Sequence, residues 1–439
     1  MRLKLFAFAS SALLCLALTA QAAAAGERPE ALARQALSEN SAEAAAAVKE
    51  LRAMGPAGLQ VLLDAHAAEI ARVKSGQFVN AQEWQRLTAA LDAVSRQRDS
   101  YASGLYWYTD LEAAQAASKA SGKPILSLRL LGQLDEEFSC ANSRFFRAVL
   151  YANTAVSEYL REHFVLHWKS VRPAPRVTID FGDGRKLERT VTGNSIHYVL
   201  DADGQPVDAL PGLYGPAAFM RALAQSETLA HQLEGKTSAA RWQALRAYHN
   251  ARIQAIAREW AADVTKTGGR VPADVVARIE RRKQNPGAIE VAPLAITKRA
   301  TEVDIVKSIT ADATALEAAT DISSWNKIAA LHAGDVRLDR ASVAFITRQN
   351  DGLRADQALL ARTLQNLEQY LALDTVRNDY LMRTKLHAWF ATGEAAGGVE
   401  TLNELVYAEL FKTPGSDPWL GLYSPDVYTA LDGGGVSRN

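Results

Sequence analysis

Apolar and polar positions recur with two different periods along this chain, and the change of period divides it. From Glu27 to about Tyr101 the spacing is helical. Ser41 can cap "AEAAAAVKELRAM", "GPAG" at 55–58 breaks the pattern, and "LQVLLDAHAAEIARV" resumes it with apolar residues three and four apart. A further amphipathic helix is predicted from about Ala81 to Arg98. Ahead of these, Arg2 and Lys4 precede an apolar run from Leu5 to Leu18 and small residues at Ala20 and Ala22. That run is too short to cross a bilayer and has the layout of a secretory leader, so residues 1–25 are predicted to be removed on export, to the periplasm or beyond.

Between 104 and 232 the period alternates. "TDLEAAQAASKASGKP" reads as a helix stopped at Gly122, and "PILSLRLLG" as a buried strand. Helices are predicted through "RFFRAVL" and "NTAVSEYLREH", and a second buried strand through "FVLHWKSV". Two hairpins follow, turning at "GDG" (182–184) and "DADG" (201–204), each with the glycine that a positive φ favours. "YGPAAFMRALAQ" closes the section as a helix with Pro216 near its first turn. Residues 233–412 return to helical spacing, interrupted by a looser stretch near "KQNPGAIEVAP". Residues 413–439 form a tail rich in Pro, Gly and aromatics, Trp419 among them. The predicted organisation is thus a leader (1–25), an N-terminal helical region (26–103), a mixed domain (104–232), a C-terminal helical domain (233–412) and a tail.

Charge and cysteine content narrow the partners. The 439 residues carry 49 basic and 49 acidic side chains. Such a balance gives no electrostatic attraction to nucleic acid or to an anionic membrane. No segment after the leader is apolar for long enough to span a bilayer. Of the two cysteines, Cys15 lies in the leader, so Cys140 remains alone and no internal disulfide is expected. Neither a Walker loop, a G-x-S-x-G elbow, a zinc-protease helix nor a dinucleotide fingerprint is present, and no cofactor is expected.

The order strand, helix, strand, hairpin, helix, preceded by a short helix ending in "GKP", resembles the thioredoxin-like family over about residues 104–230. The likeness rests on "LYWYTDLEAAQAASKASGKPIL", "VSEYLREHFVLHWKSV" and "GNSIHYVLDADGQPVDALPGLYGPAAFMRAL", with one inserted hairpin at 176–191. The fold class this implies is an α/β thioredoxin-like domain, a central mixed sheet with flanking helices, between all-α N- and C-terminal regions. The resemblance places Cys140, Ala141, Asn142 and Ser143 where the family carries C-x-x-C at a helix start. Ser143 stands in for the resolving cysteine, and a hydroxyl cannot resolve a mixed disulfide. What stays open to such a site is a monothiol cycle through Cys140, in which an outside thiol completes turnover. Asn194 and Ser195 occupy the place of the family's cis-proline, facing the substrate.

Two readings of Cys140 follow. In one, unsatisfied N–H groups at a helix start favour the thiolate, and the chain has thiol-disulfide oxidoreductase-like activity on protein thiols or disulfides. Ser143 then hydrogen-bonds the thiolate. Lys169 and His167, late in the second strand, supply positive charge if they face it, though a core histidine and a snorkelling lysine are the commoner arrangement, while Asp135, Glu136 and Glu137 oppose it if they lie close. In the other, Cys140 is a small packed residue and the fold is a non-catalytic scaffold whose helical domain binds an unknown protein partner. His163, His167 and His197 with Cys140 lack the close ligand spacing of a metal site.

Overall fold

The computed structural model describes residues 28–190, 193–281, 313–419 and 436. Residues 1–25, predicted as a leader, the segment "KQNPGAIEVAP" and most of the tail lie outside them. The chain is mostly helical with a small mixed sheet of four strands. It falls into two compact units interleaved in sequence. One is built from the chain up to Ser195 with Leu213–Ala224 and His332–Thr375, the other from Ile196–Gly212, Gln225–Leu331 and Val376 onward.

In the first unit, helix Ser41–Ala53 is capped by the Asn40 side chain, one residue ahead of the expected Ser41. Asn40 accepts from two backbone N–H groups at the first turn, which a longer side chain reaches more easily than a serine hydroxyl. Gly55, at φ +69°, turns the chain into helix Pro56–Ala65, with Pro56 at its first position. The two helices cross at Gly58, where an added Cβ would lie 1.9 Å from the Leu51 carbonyl oxygen. Only a residue without a side chain permits that approach. The expected helix 59–73 is interrupted at His66, whose φ of −118° is not helical, and a second helix runs Ala67–Lys74. Leu51, Leu59, Leu62, Leu91 and Val94 form one core with Ala148, Ala152 and Phe345.

Asp110 caps helix Leu111–Ser121, and Gly122 ends it in the left-handed region, as the sequence predicted. The chain then enters β1 (Ile125–Leu131), buried at every position. β2 (Val165–Arg172) pairs with it in parallel, Ile125 opposite Val165 and Arg129 opposite Lys169. Strands buried on both faces read as continuous apolar runs, which "PILSLRLLG" does apart from Ser127 and Arg129. Tyr108 forms a single parallel bridge to His167 on the other side of β2. β3 (Arg176–Asp180) and β4 (Lys186–Thr190) form a separate two-stranded hairpin.

In the second unit, β5 (Ser195–Leu200) and β6 (Pro206–Pro211) pair antiparallel and are buried throughout. The 29-residue helix Ser238–Lys266 packs against helix Thr384–Thr392. Trp260 stacks on Tyr380 at 5.6 Å, and the Tyr380 hydroxyl donates to Asp263 at 2.8 Å. From Val376 the end of helix Gln357–Arg377, most of which belongs to the first unit, continues through a π turn, Asn378–Arg383, into Thr384–Thr392.

Candidate functional sites

Cys140 stands where β1 hands the chain to a helix. A loop from Gly132 returns so that the Cys140 N–H donates to the Leu131 carbonyl at 3.0 Å. Cys140 is the extended residue before helix Ala141–Phe145, which runs on into a π turn, Phe146–Leu150. Its side chain is wholly buried. The sulfur lies 3.5 Å from Ser143 Oγ, and the Ser143 hydroxyl donates to the Cys140 carbonyl at 2.8 Å. Ser143 therefore spends its proton on its own helix, and the thiol is the group that can donate to it. Below them Tyr151 is fully buried; burial, and then the proximity of Cys140, push its phenol well above the ordinary range.

Residues just ahead of Asn194 and Ser195 lie beside this corner. Thr190 Oγ1 donates to the Ser139 carbonyl at 3.0 Å, and Gly193 presses on Asn142, where an added Cβ would stand 2.7 Å from Oδ1. Asn194 is half-buried and Ser195 fully buried. The charged groups do not gather at Cys140. Asp135 pairs with Arg96 at 3.3 Å, Glu137 pairs with Arg98, and Glu136 accepts from Gln133 at 2.8 Å, so each acid has its own partner. Lys169 is exposed. His167 is buried and bonded to Ser127 at 2.8 Å, with Arg129 at 3.5 Å. Burial, and then the charges of Arg129 and Lys169, lower it to about 3, so it is a neutral core imidazole and not a cation beside Cys140.

A second cluster, in the other unit, escaped the sequence reading. Asp208 on β6, His249 on Ser238–Lys266, Arg383 at the end of the π turn and His387 on Thr384–Thr392 meet with their side chains buried. Asp208 Oδ2 accepts from Ser226 at 2.7 Å, Arg383 at 3.1 Å and Tyr248 at 3.4 Å. Oδ1 accepts the Ala209 N–H at 2.8 Å and lies 3.7 Å from His387 Nδ1. Burial alone would raise this carboxyl, yet the Arg383 charge, with the Ser226 hydrogen bond, outweighs it and holds Asp208 well below the usual carboxylate range. His249 Nε2 lies 3.1 Å from the Val207 carbonyl and therefore carries the proton; its Nδ1, 2.8 Å from His387 Nδ1, accepts from that ring. His387 Nε2 is left as a buried lone pair without a partner among the described residues. Burial lowers His249 to about 4 and His387 well below the ordinary histidine value.

Asp208, His249 and His387 form the one group with metal-ligand spacing found among the described residues, their donor atoms lying within 4.8 Å of one another. Two neutral imidazoles and a carboxylate are donors that zinc accepts. The geometry is nevertheless that of a hydrogen-bonded ion pair. The nitrogens stand 2.8 Å apart, whereas two nitrogens bound tetrahedrally at zinc distances would be roughly 3.3 Å apart. Arg383 also already neutralises the carboxylate. The cluster ties β6 to two helices, and burial keeps both imidazoles neutral against the pull of Asp208. The signal for it was an aspartate inside the apolar strand "PVDALP", since a buried charge requires a partner. Compared with known proteins, the chain matches no family model, no curated protein and no solved structure.

Proposed function

We propose that residues 104–232 form a thioredoxin-like domain that serves as a binding scaffold in an exported protein, with Cys140 as a packed residue and not a turning-over thiol. The burial of Cys140 carries this reading. A nucleophilic thiol must meet a disulfide along the S–S axis, and here the sulfur is enclosed, with Ser143 3.5 Å away where a resolving cysteine would stand. The thioredoxin resemblance is supported by the parallel β1–helix–β2 unit, the antiparallel β5–β6 pair and the helix Pro216–Leu233 in the expected chain order. Monothiol chemistry is the second reading, favoured by the position of Cys140 at the helix start with Gly193 against Asn142.

Thiol labelling separates the two. On the scaffold reading, an aromatic disulfide reagent reacts with Cys140 only as fast as the domain opens, and the rate rises steeply with urea through the unfolding transition. Rapid, stoichiometric labelling of the folded protein, with its circular dichroism unchanged, would reverse the assignment in favour of the monothiol cycle. Export is tested separately: residues 1–25 fused ahead of mature alkaline phosphatase should give activity in a diderm host, and an inactive cytoplasmic fusion would refute it.

A further inference from the structure

Three cations of the first unit meet at one cleft. Lys74, at the end of helix Ala67–Lys74, and Arg161, on helix Thr154–His163, line a cavity of about 520 Å³. Arg348 joins them at its edge, donating to the Lys74 carbonyl at 3.4 Å with its guanidinium 5.8 Å from the Tyr101 ring. Arg161 is tied by its guanidinium to the Ser103 carbonyl. The arginines are therefore anchored on backbone oxygens and an aromatic face, and none of the three has a carboxylate within ion-pair distance among the described residues. Arg72, two residues before Lys74, does have one, pairing with Glu69 at 3.3 Å. Glu158 is the acidic side chain on the cleft wall and makes no ion pair with its neighbour Arg161. Lys74 is exposed at the cleft; partial desolvation, and then the charges of Arg348 and Arg161, lower its ammonium, with no acid acting to raise it.

The cavity continues into a second one of about 380 Å³, which shares Gln60, Gly104 and Arg161 with it. This end is apolar and aromatic. Tyr106 and Tyr108 meet edge to face at 5.1 Å, and Phe164 and Leu166 add to the wall. Lys123 lies at its rim, anchored on the Arg161 carbonyl at 2.9 Å.

We propose that this cleft binds a small phosphomonoester with an apolar body, the phosphate between Lys74, Arg161 and Arg348 and the body against Tyr106 and Tyr108. Like charges held together without a counter-ion repel, and a dianion relieves that repulsion while meeting guanidinium forks suited to phosphate oxygens. The aromatic end then adds affinity that inorganic phosphate cannot use. The proposal is independent of whether Cys140 reacts.

Isothermal titration of the mature, full-length chain with phenyl phosphate tests it, with inorganic phosphate and benzyl alcohol as half-ligands. Saturable binding is expected at about 1 mM or tighter. It should weaken at least about tenfold in Arg161→Met and in Lys74→Met, each checked for an unchanged urea midpoint, and should weaken as salt rises. Because Lys74→Met removes no backbone anchor, it decides the matter if Arg161→Met fails to fold. Phenyl phosphate should also bind more tightly than inorganic phosphate. Absence of saturable binding, binding indifferent to Lys74→Met, or equal affinity for inorganic phosphate would overturn the proposal.

Discussion

Replacing Arg383 by methionine is expected to destabilise the protein by about 3–5 kcal/mol, because it leaves the Asp208 carboxylate buried without its counter-charge. Both side chains are almost inaccessible, at 2% and 0% exposure, so water cannot take the place of the guanidinium. Ser226, Tyr248 and the Ala209 N–H would still donate to the carboxylate, which limits the loss. A total stability in the usual range of about 5–15 kcal/mol would be cut by roughly a fifth or more. Asp208→Asn should cost less, since Arg383 keeps Asp379 at 3.3 Å. The double variant should recover part of the Arg383→Met loss, as removing both charges does elsewhere. The loss should also shrink in acid, because a carboxyl deprived of Arg383 takes a proton more readily than in the parent. Urea unfolding of the four proteins at two pH values measures all of this. An Arg383→Met protein within about 1 kcal/mol of the parent would show that the pair carries no net stabilisation.

Much of the fold was legible because its signals are local. Asp110 and Gly122 bound a helix by capping chemistry that acts within one turn, and the glycines at 182, 184 and 204 fix hairpin turns whose φ values are positive. The apolar runs of β1 and β2 need no partner to be recognised. What failed to show was whatever depends on residues far apart. Asp208 and His249 are about 40 positions apart and Arg383 and His387 lie more than a hundred further on, and no spacing rule links them. His66 breaks a helix that its composition would continue, because the backbone must turn so that both halves reach the same core. The Cys140 corner lies between. Its place at a helix start could be read from the sequence, while its burial, the neutrality of His167 and the private partners of Asp135 and Glu137 follow from packing alone.

Stability should fall steeply as the solution is acidified from about pH 6.5 toward pH 4, and buried histidines are the cause. Burial lowers His249 to about 4, His167 and His197 to about 3, and His387 well below its ordinary value. An unfolded histidine titrates near pH 6.5, so below that the unfolded chain takes up protons that the native chain refuses. The stability these groups confer is thus present above the unfolded pKa and lost as pH drops through the folded one. Asp92 works the other way. Burial raises it to about 6 against the donations of Ser100 and Asp99, so between about 6 and 4 the native state holds a proton the unfolded state has released. Asp99, also raised by burial, adds to that opposition. Four histidines outnumber the two carboxyls, so stability still falls with pH near pH 5, by about 1.4 kcal/mol per pH unit for each proton of net difference. Asp208 then joins the histidines below about pH 4, since its folded pKa is depressed and its stabilising charge is lost there. Urea midpoints measured from pH 7 to pH 4.5 should trace this slope, and His167→Phe, away from the Asp208 cluster, should flatten it by about one proton, or about 1.4 kcal/mol per pH unit. Midpoints that stay level from pH 7 to pH 5 would mean that the buried imidazoles take up protons in the folded chain as readily as in the unfolded one.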